Sequence, residues 1–196
     1  MDKLFIITFG DSLTVGYQSP TFLNPWYGET PYADFLNKKM TADGQSVRFL
    51  VKGISGELTS DMVSRFHRDV IEHKPDYVVI LGGTNDQGWD VPLDEIIKNL
   101  TNMYEKALSN AIKPVGVTIP SIRDFDFLIR QRIDLNNQIK SVCNSLNIPC
   151  VDLFTASSEP ETFRLAQEYS NDGLHLTTEG YSLLADLLYD KVFNKV

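Results

Sequence analysis

Asp172 and His175 stand three residues apart in Asn171-Asp172-Gly173-Leu174-His175-Leu176, ahead of an apolar helical stretch. A carboxylate at that spacing can hold one imidazole nitrogen while the other faces a nucleophile. A base oriented in this way is what a weakly acidic serine hydroxyl requires at neutral pH. The candidate serine lies near the other end of the chain, in Gly10-Asp11-Ser12-Leu13-Thr14-Val15-Gly16-Tyr17. It follows an apolar β-rich run, so Ser12 presents both its hydroxyl and its backbone N–H at a strand end. Taken alone, such a serine serves equally as a turn cap. Two further blocks offer hydrogen-bond donors. In Gly53-Ile54-Ser55-Gly56-Glu57-Leu58-Thr59 a glycine lets the backbone N–H approach a ligand. In Gly82-Gly83-Thr84-Asn85-Asp86 small residues flank an amide whose NH₂ can donate. Each of these two blocks, read singly, is ordinary turn chemistry.

The elements that must position these blocks alternate short β-rich runs with longer stretches of helical period. That pattern predicts an α/β fold, a three-layer α/β/α sandwich around a parallel sheet. The expected strands are Leu4–Phe9, Val47–Val51, Tyr77–Leu81, Val115–Ile119 and Cys150–Leu153. Ile96, Ile97, Leu100, Tyr104, Ala107 and Leu108 recur at helical spacing and are expected to face the sheet. A last helix is expected from about Thr178 to Val192, with Tyr181, Leu184, Leu187 and Leu188 inward. Five strands wound this way take the flavodoxin-like order 2-1-3-4-5, with ligands outside the carboxyl ends near the order switch. Strand one then lies between strands two and three, and the loops after all three meet at one spot. The irregular connection Gln18 to Gly28 carries Phe22, Trp26 and Tyr27 and is a candidate substrate wall, with Trp89.

At 196 residues, with no linker, repeat or low-complexity tract, the chain is expected to form one domain over residues 1–196. The formal net charge of −8 and the lack of a basic cluster argue against nucleic acid as a partner and leave small neutral substrates favoured. Cys143 and Cys150 have no metal-ligand spacing and read as reduced thiols. The apolar run Leu4 to Phe9 is too short for a signal peptide, and no run approaches the about 18 residues of a membrane span, so the expected location is cytoplasmic.

Together, in this order and spacing, the four blocks resemble the GDSL (SGNH) hydrolase family from Phe9 to Tyr181. The resemblance implies the SGNH hydrolase fold and a serine hydrolase that cleaves carboxylic esters through an acyl-enzyme. Ser12, Asp172 and His175 would be its triad. Backbone N–H groups of Ser12 and Gly56 and the amide of Asn85 would form the oxyanion hole. Asp11 and Asp86 match flanking positions and are expected to brace loops. No metal and no organic cofactor is implied, and the implied partner is a small-molecule ester. Val51, Lys52 and Gly53 carry no amide where many members have an asparagine, so one supporting hydrogen bond is missing.

Carbohydrate O-acetylesterase or thioesterase action is the alternative within the family. A non-catalytic ligand-binding module on the same fold is the alternative from another class. A metal-dependent phosphoesterase needs more histidines than His67, His73 and His175. An α/β-hydrolase nucleophile needs Gly-x-Ser-x-Gly, which this chain lacks. Arg123 is a candidate for meeting an anionic group, and Ser157–Gln167 for a cap over the pocket.

Overall fold

A computed structural model describes residues 3–22, 25–26 and 28–194. Its main sheet comprises β1 (Leu4–Gly10), β2 (Val47–Gly53), β3 (Tyr77–Leu81), β4 (Lys113–Val117) and β5 (Cys150–Val151). The spatial order is β2-β1-β3-β4-β5, with every neighbouring pair parallel, as the alternating pattern predicts. β1 and β3 are apolar runs buried almost throughout, whereas the edge strand β2 is only half covered. On one face lie α2 (Tyr32–Ala42) and α8 (Thr178–Leu188), packed against each other; on the other lie α3 (Thr59–Asp69), α5 (Leu93–Ser109) and α6 (Ile129–Ser145). The apolar sides of all these helices close on the sheet in one core cluster.

The register places the functional loops. Gly10 of β1 lies opposite Gly53 of β2 on one side and Leu81 of β3 on the other, so three strands end level. The loops beginning at Asp11, Ile54 and Gly82 therefore leave the sheet side by side.

Several boundaries differ from the sequence expectation for identifiable reasons. β4 begins two residues early, at Lys113, and stops at Val117 short of Ile119. The buried Asn136 side chain accepts from the Ile119 N–H at 2.9 Å and donates to its carbonyl at 3.0 Å, taking both groups a further ladder step would use. β5 stops at Val151 because Asp152 turns to cap α7 (Leu153–Ser157), accepting from Thr155 N–H at 3.2 Å. Leu108 is exposed; the buried stripe of α5 runs through Ile96, Leu100, Met103, Tyr104 and Ala107 instead. After α8 the chain continues through a π-helical turn, Tyr189–Phe193, which buries Phe193. His67 is exposed on α3, and His73 lies in a separate 3₁₀ turn, Ile71–His73, also exposed.

The link from β1 to the site is Asp11. Its carboxylate caps the short helix α1 (Ser12–Val15) by accepting from Leu13 N–H at 2.9 Å, and it is fully buried. Burial pushes this carboxyl up to about 7, and nearby Asp86 adds to the rise. The Leu13 N–H and the charges of His175 and Arg132 only partly offset it. Because the folded-state value lies above the ordinary 3.8, the folded chain holds this proton more tightly than the unfolded chain. That stabilisation is present at acid pH and is lost as pH rises towards about 7. Asp11→Asn removes the titration. The stability of the variant relative to the parent should therefore rise by about 2–3 kcal/mol between about pH 5 and about pH 8 in urea denaturation. A difference that stays constant across that range would assign the proton elsewhere.

Candidate active site

Ser12, the first residue of α1, is almost wholly buried, and its Oγ lies 3.2 Å from His175 Nε2. His175 Nδ1 in turn lies 2.8 Å from Asp172 Oδ2. Residues 163 positions apart are thus joined into one hydrogen-bonded chain, because β1 ends where the Ser170–Thr177 loop passes. That loop is built from its own sequence. Asp172 Oδ1 accepts from the N–H groups of Leu174 (2.9 Å) and His175 (2.7 Å). Ser170 Oγ accepts from Gly173 N–H and donates to the His175 carbonyl. Gly173 adopts φ 81°, and a Cβ there would lie 2.4 Å from the Arg123 carbonyl oxygen, so only glycine suits the turn. Thr177 then caps α8 by accepting from Gly180 N–H.

Burial alone would raise the Asp172 carboxyl. The His175 ring, the Ser19 hydroxyl and the two loop N–H groups outweigh it and hold Asp172 below the usual carboxylate range, so it is ionised at neutral pH. The Tyr17 ring packs tilted against the imidazole, with centroids 4.5 Å apart. Asp172 therefore fixes one edge of His175 and Tyr17 one face.

In the loop after β2, Gly56 stands exposed at φ 82° with open space where a side chain would be. Asn85 opens towards the same loop from α4 (Thr84–Gly88). Its Nδ2 donates to the Glu57 carbonyl at 2.9 Å and, more loosely, to Asp11 Oδ2 at 3.4 Å. Asp86 braces rather than faces outward: its buried carboxylate accepts from the N–H and hydroxyl of Thr59 at the start of α3. Burial raises its carboxyl against those bonds.

Sequence reasoning missed Arg65. Its Nη2 donates to the Gly10 carbonyl at 2.9 Å and its Nη1 to the Lys52 carbonyl at 3.1 Å, the last turns of β1 and β2. Its Nε meets Glu57 at 2.7 Å, Nη1 also reaches Asp69 at 3.2 Å, and the guanidinium lies over the Phe9 ring at 4.2 Å. Arg65 thus braces the loop after β2. The signal was available, since Arg65 and Asp69 fall on the buried stripe of α3 with Met62 and Phe66. Arg132 was also missed. It is 1% exposed on α6, donates to the Pro120 carbonyl at 2.7 Å, and is pulled down to about 10 by burial, with Asp11 opposing.

Trp26 and Trp89 are 79% and 76% exposed, so neither belongs to the core; Tyr27 lies outside the described residues. Tyr17–Gln18 and Gly28–Glu29 pair as a small antiparallel ribbon at the base of the Trp26 loop. Arg123 is not free to meet an anion: it donates to the Leu165 carbonyl, pairs with Glu159, and its N–H holds the Gly173 carbonyl. The 157–167 segment is stitched to the loop after β4 by Leu165 N–H to the Ile122 carbonyl and by the Arg164–Asp126 ion pair. Among the described residues no group of three or more His, Cys, Asp or Glu is arranged to hold a metal, and no helix is long and apolar enough to cross a membrane.

Known proteins share this arrangement of elements. The uncharacterized lipoprotein YqeF of Bacillus subtilis is 33% identical over 126 residues, which is 60% of this chain and 49% of that protein. An arylesterase of Vibrio mimicus is 32% identical over 102 residues, 52% of this chain and 46% of its own. The chain therefore spans about half the length of these curated relatives. The crystal structure of the lipase/acylhydrolase from Enterococcus faecalis aligns with a TM-score of 0.81 at 28% identity, covering 97% of this chain and 96% of that one. Residues 8–183 match the GDSL-like lipase/acylhydrolase family, a span that includes every block from Gly10 to His175, and the chain belongs to that family.

Proposed function

We propose that this chain is a serine ester hydrolase with Ser12 as nucleophile, His175 as general base and Asp172 as the group that orients it. The observation that carries the reading is the continuous hydrogen-bonded chain from Ser12 Oγ through both imidazole nitrogens to a carboxylate kept ionised. A ligand-binding module has no use for that combination. Similarity to a protein named an arylesterase and to a lipase/acylhydrolase supports the same class of reaction.

In this reading His175 Nε2 takes the Ser12 proton as Oγ attacks the ester carbonyl. The oxyanion meets the N–H groups of Ser12 and Gly56 and the amide of Asn85, whose second N–H is held only loosely by Asp11. His175 then protonates the leaving alcohol, and water repeats the sequence on the acyl-enzyme. These steps call for neither a metal nor an organic cofactor. In this reading the exposed Trp26 and Trp89 form an apolar substrate wall that leans towards an acyl or aryl group over a bare acetylated sugar. One catalytic domain over residues 1–196 and a cytoplasmic setting belong to the same proposal.

The test is turnover of p-nitrophenyl acetate and butyrate by the parent and by Ser12→Ala, with EDTA present. Turnover by the parent alone is expected; equal turnover by both would remove Ser12 from the chemistry. Asn85→Ala should lower kcat by about 10²–10³ with KM little changed, as loss of one oxyanion donor does. An effect confined to KM would reassign Asn85 to substrate binding.

A further inference from the structure

At the β5 edge of the sheet, apart from the catalytic loops, the two cysteines meet. Cys143 lies on the buried face of α6, and Cys150 opens β5. In the ladder Cys150 is paired with Gly116 of β4. A Cβ on residue 116 would lie 2.4 Å from Cys143 Sγ, so the missing side chain is what seats that sulfur over β4, next to Cys150. Both cysteines thus share the patch of β4 at Gly116, Cys150 beside it in the ladder and the Cys143 sulfur above it.

Their surroundings differ. Cys143 is fully buried, whereas Cys150 is partly exposed and lines a surface cavity of about 450 Å³ with Lys140, Asn144, Asn147 and Lys191. The Cys143 hydrogen bond, then the two ammonium groups, hold the Cys150 thiol below its ordinary range, against burial and the nearby Asp152. The bond to Cys150 and burial push the Cys143 thiol up. An accessible, thiolate-prone cysteine thus stands beside a buried protonated one, the arrangement of an attacking and a resolving thiol.

We propose that Cys150 and Cys143 form a reversible dithiol that a small hydroperoxide, entering beside Lys140 and Lys191, oxidises to an intramolecular disulfide. Cys150 sulfur attacks the peroxide: an S–O bond forms, the O–O bond breaks, and the departing oxygen leaves as alcohol or water after taking the thiol proton. The Cys143 sulfur then attacks the Cys150 sulfenic acid: the S–S bond forms, the S–O bond breaks, and hydroxide leaves as water with the Cys143 proton. Two thiols give up two electrons and two protons, and the peroxide accepts both pairs. The inference rests on no part of the catalytic reading.

The test treats the full chain with hydrogen peroxide, then denatures and alkylates it with iodoacetamide for peptide mass mapping. The parent is expected to lose two hydrogens, to yield a Cys143–Cys150 crosslinked peptide, and to recover both thiols in dithiothreitol. Cys143→Ala should stop at a Cys150 sulfenic acid that dimedone captures, and Cys150→Ala should leave Cys143 unoxidised. Two alkylatable thiols in treated parent protein, a crosslink only between molecules, or oxidation of Cys143 without Cys150 would overturn the proposal. If an alanine variant fails to fold, the crosslinked peptide of the parent decides alone.

Discussion

Three parallel strands end level at Gly10, Gly53 and Leu81, and the loops that carry the site leave from those ends, so the site depends on how firmly the ends are held. The buried guanidinium of Arg65 holds two of them. It binds the carbonyls of Gly10 and Lys52 directly, so the backbone leading towards Ser12 and towards Gly56 is fixed by one planar group. Glu57 and Asp69 compensate its charge at 2.6 and 3.2 Å, with the pairs largely out of water. Breaking such a pair by removing one partner typically costs about 3–5 kcal/mol, because the remaining charge is left buried. The Glu57 carbonyl also receives the Asn85 amide, so the tie runs from the sheet through Arg65 to the candidate oxyanion donor.

Two carboxyl groups near the site, Asp172 and Asp11, are shifted in opposite directions by their surroundings. Asp172 sits on the loop before α8 with its oxygens filled by an imidazole, a hydroxyl and two N–H groups, which favour the ion. Asp11 is deeper, accepts one short backbone bond and lies in the field of Asp86, so burial dominates and its carboxyl is pushed up to about 7. The first is fitted to stabilise a charge appearing on His175. The second is fitted to hold a turn. The sequence positions differ only in context, since each carboxylate immediately precedes or begins a tight turn rich in N–H donors.

What was legible in the sequence followed from periodicity and from side chains that act close to their own backbone. The strand order came from the alternation of β-rich and helical stretches. The Asp172–His175 turn came from local spacing, because Asp172 closes a loop on residues two and three positions later. What was not legible depends on contacts between distant elements. Asn136 ends β4 from α6, a partnership with no local signature. Arg65 shares the buried stripe of α3 with Met62 and Phe66, but its partners, the carbonyls of Gly10 and Lys52, lie on two distant strands. Arg123 was read as free because Glu159 and Leu165, its partners, are supplied by a later segment.

The central claim is that His175 activates Ser12 through the 3.2 Å contact between them. The most direct measurement is covalent labelling by a fluorophosphonate, mapped to the peptide and timed in the parent and in His175→Ala. The account predicts one modified serine, Ser12, with the rate falling steeply when the imidazole is removed. Labelling at Ser55 or another serine, or an unchanged rate without His175, would contradict it.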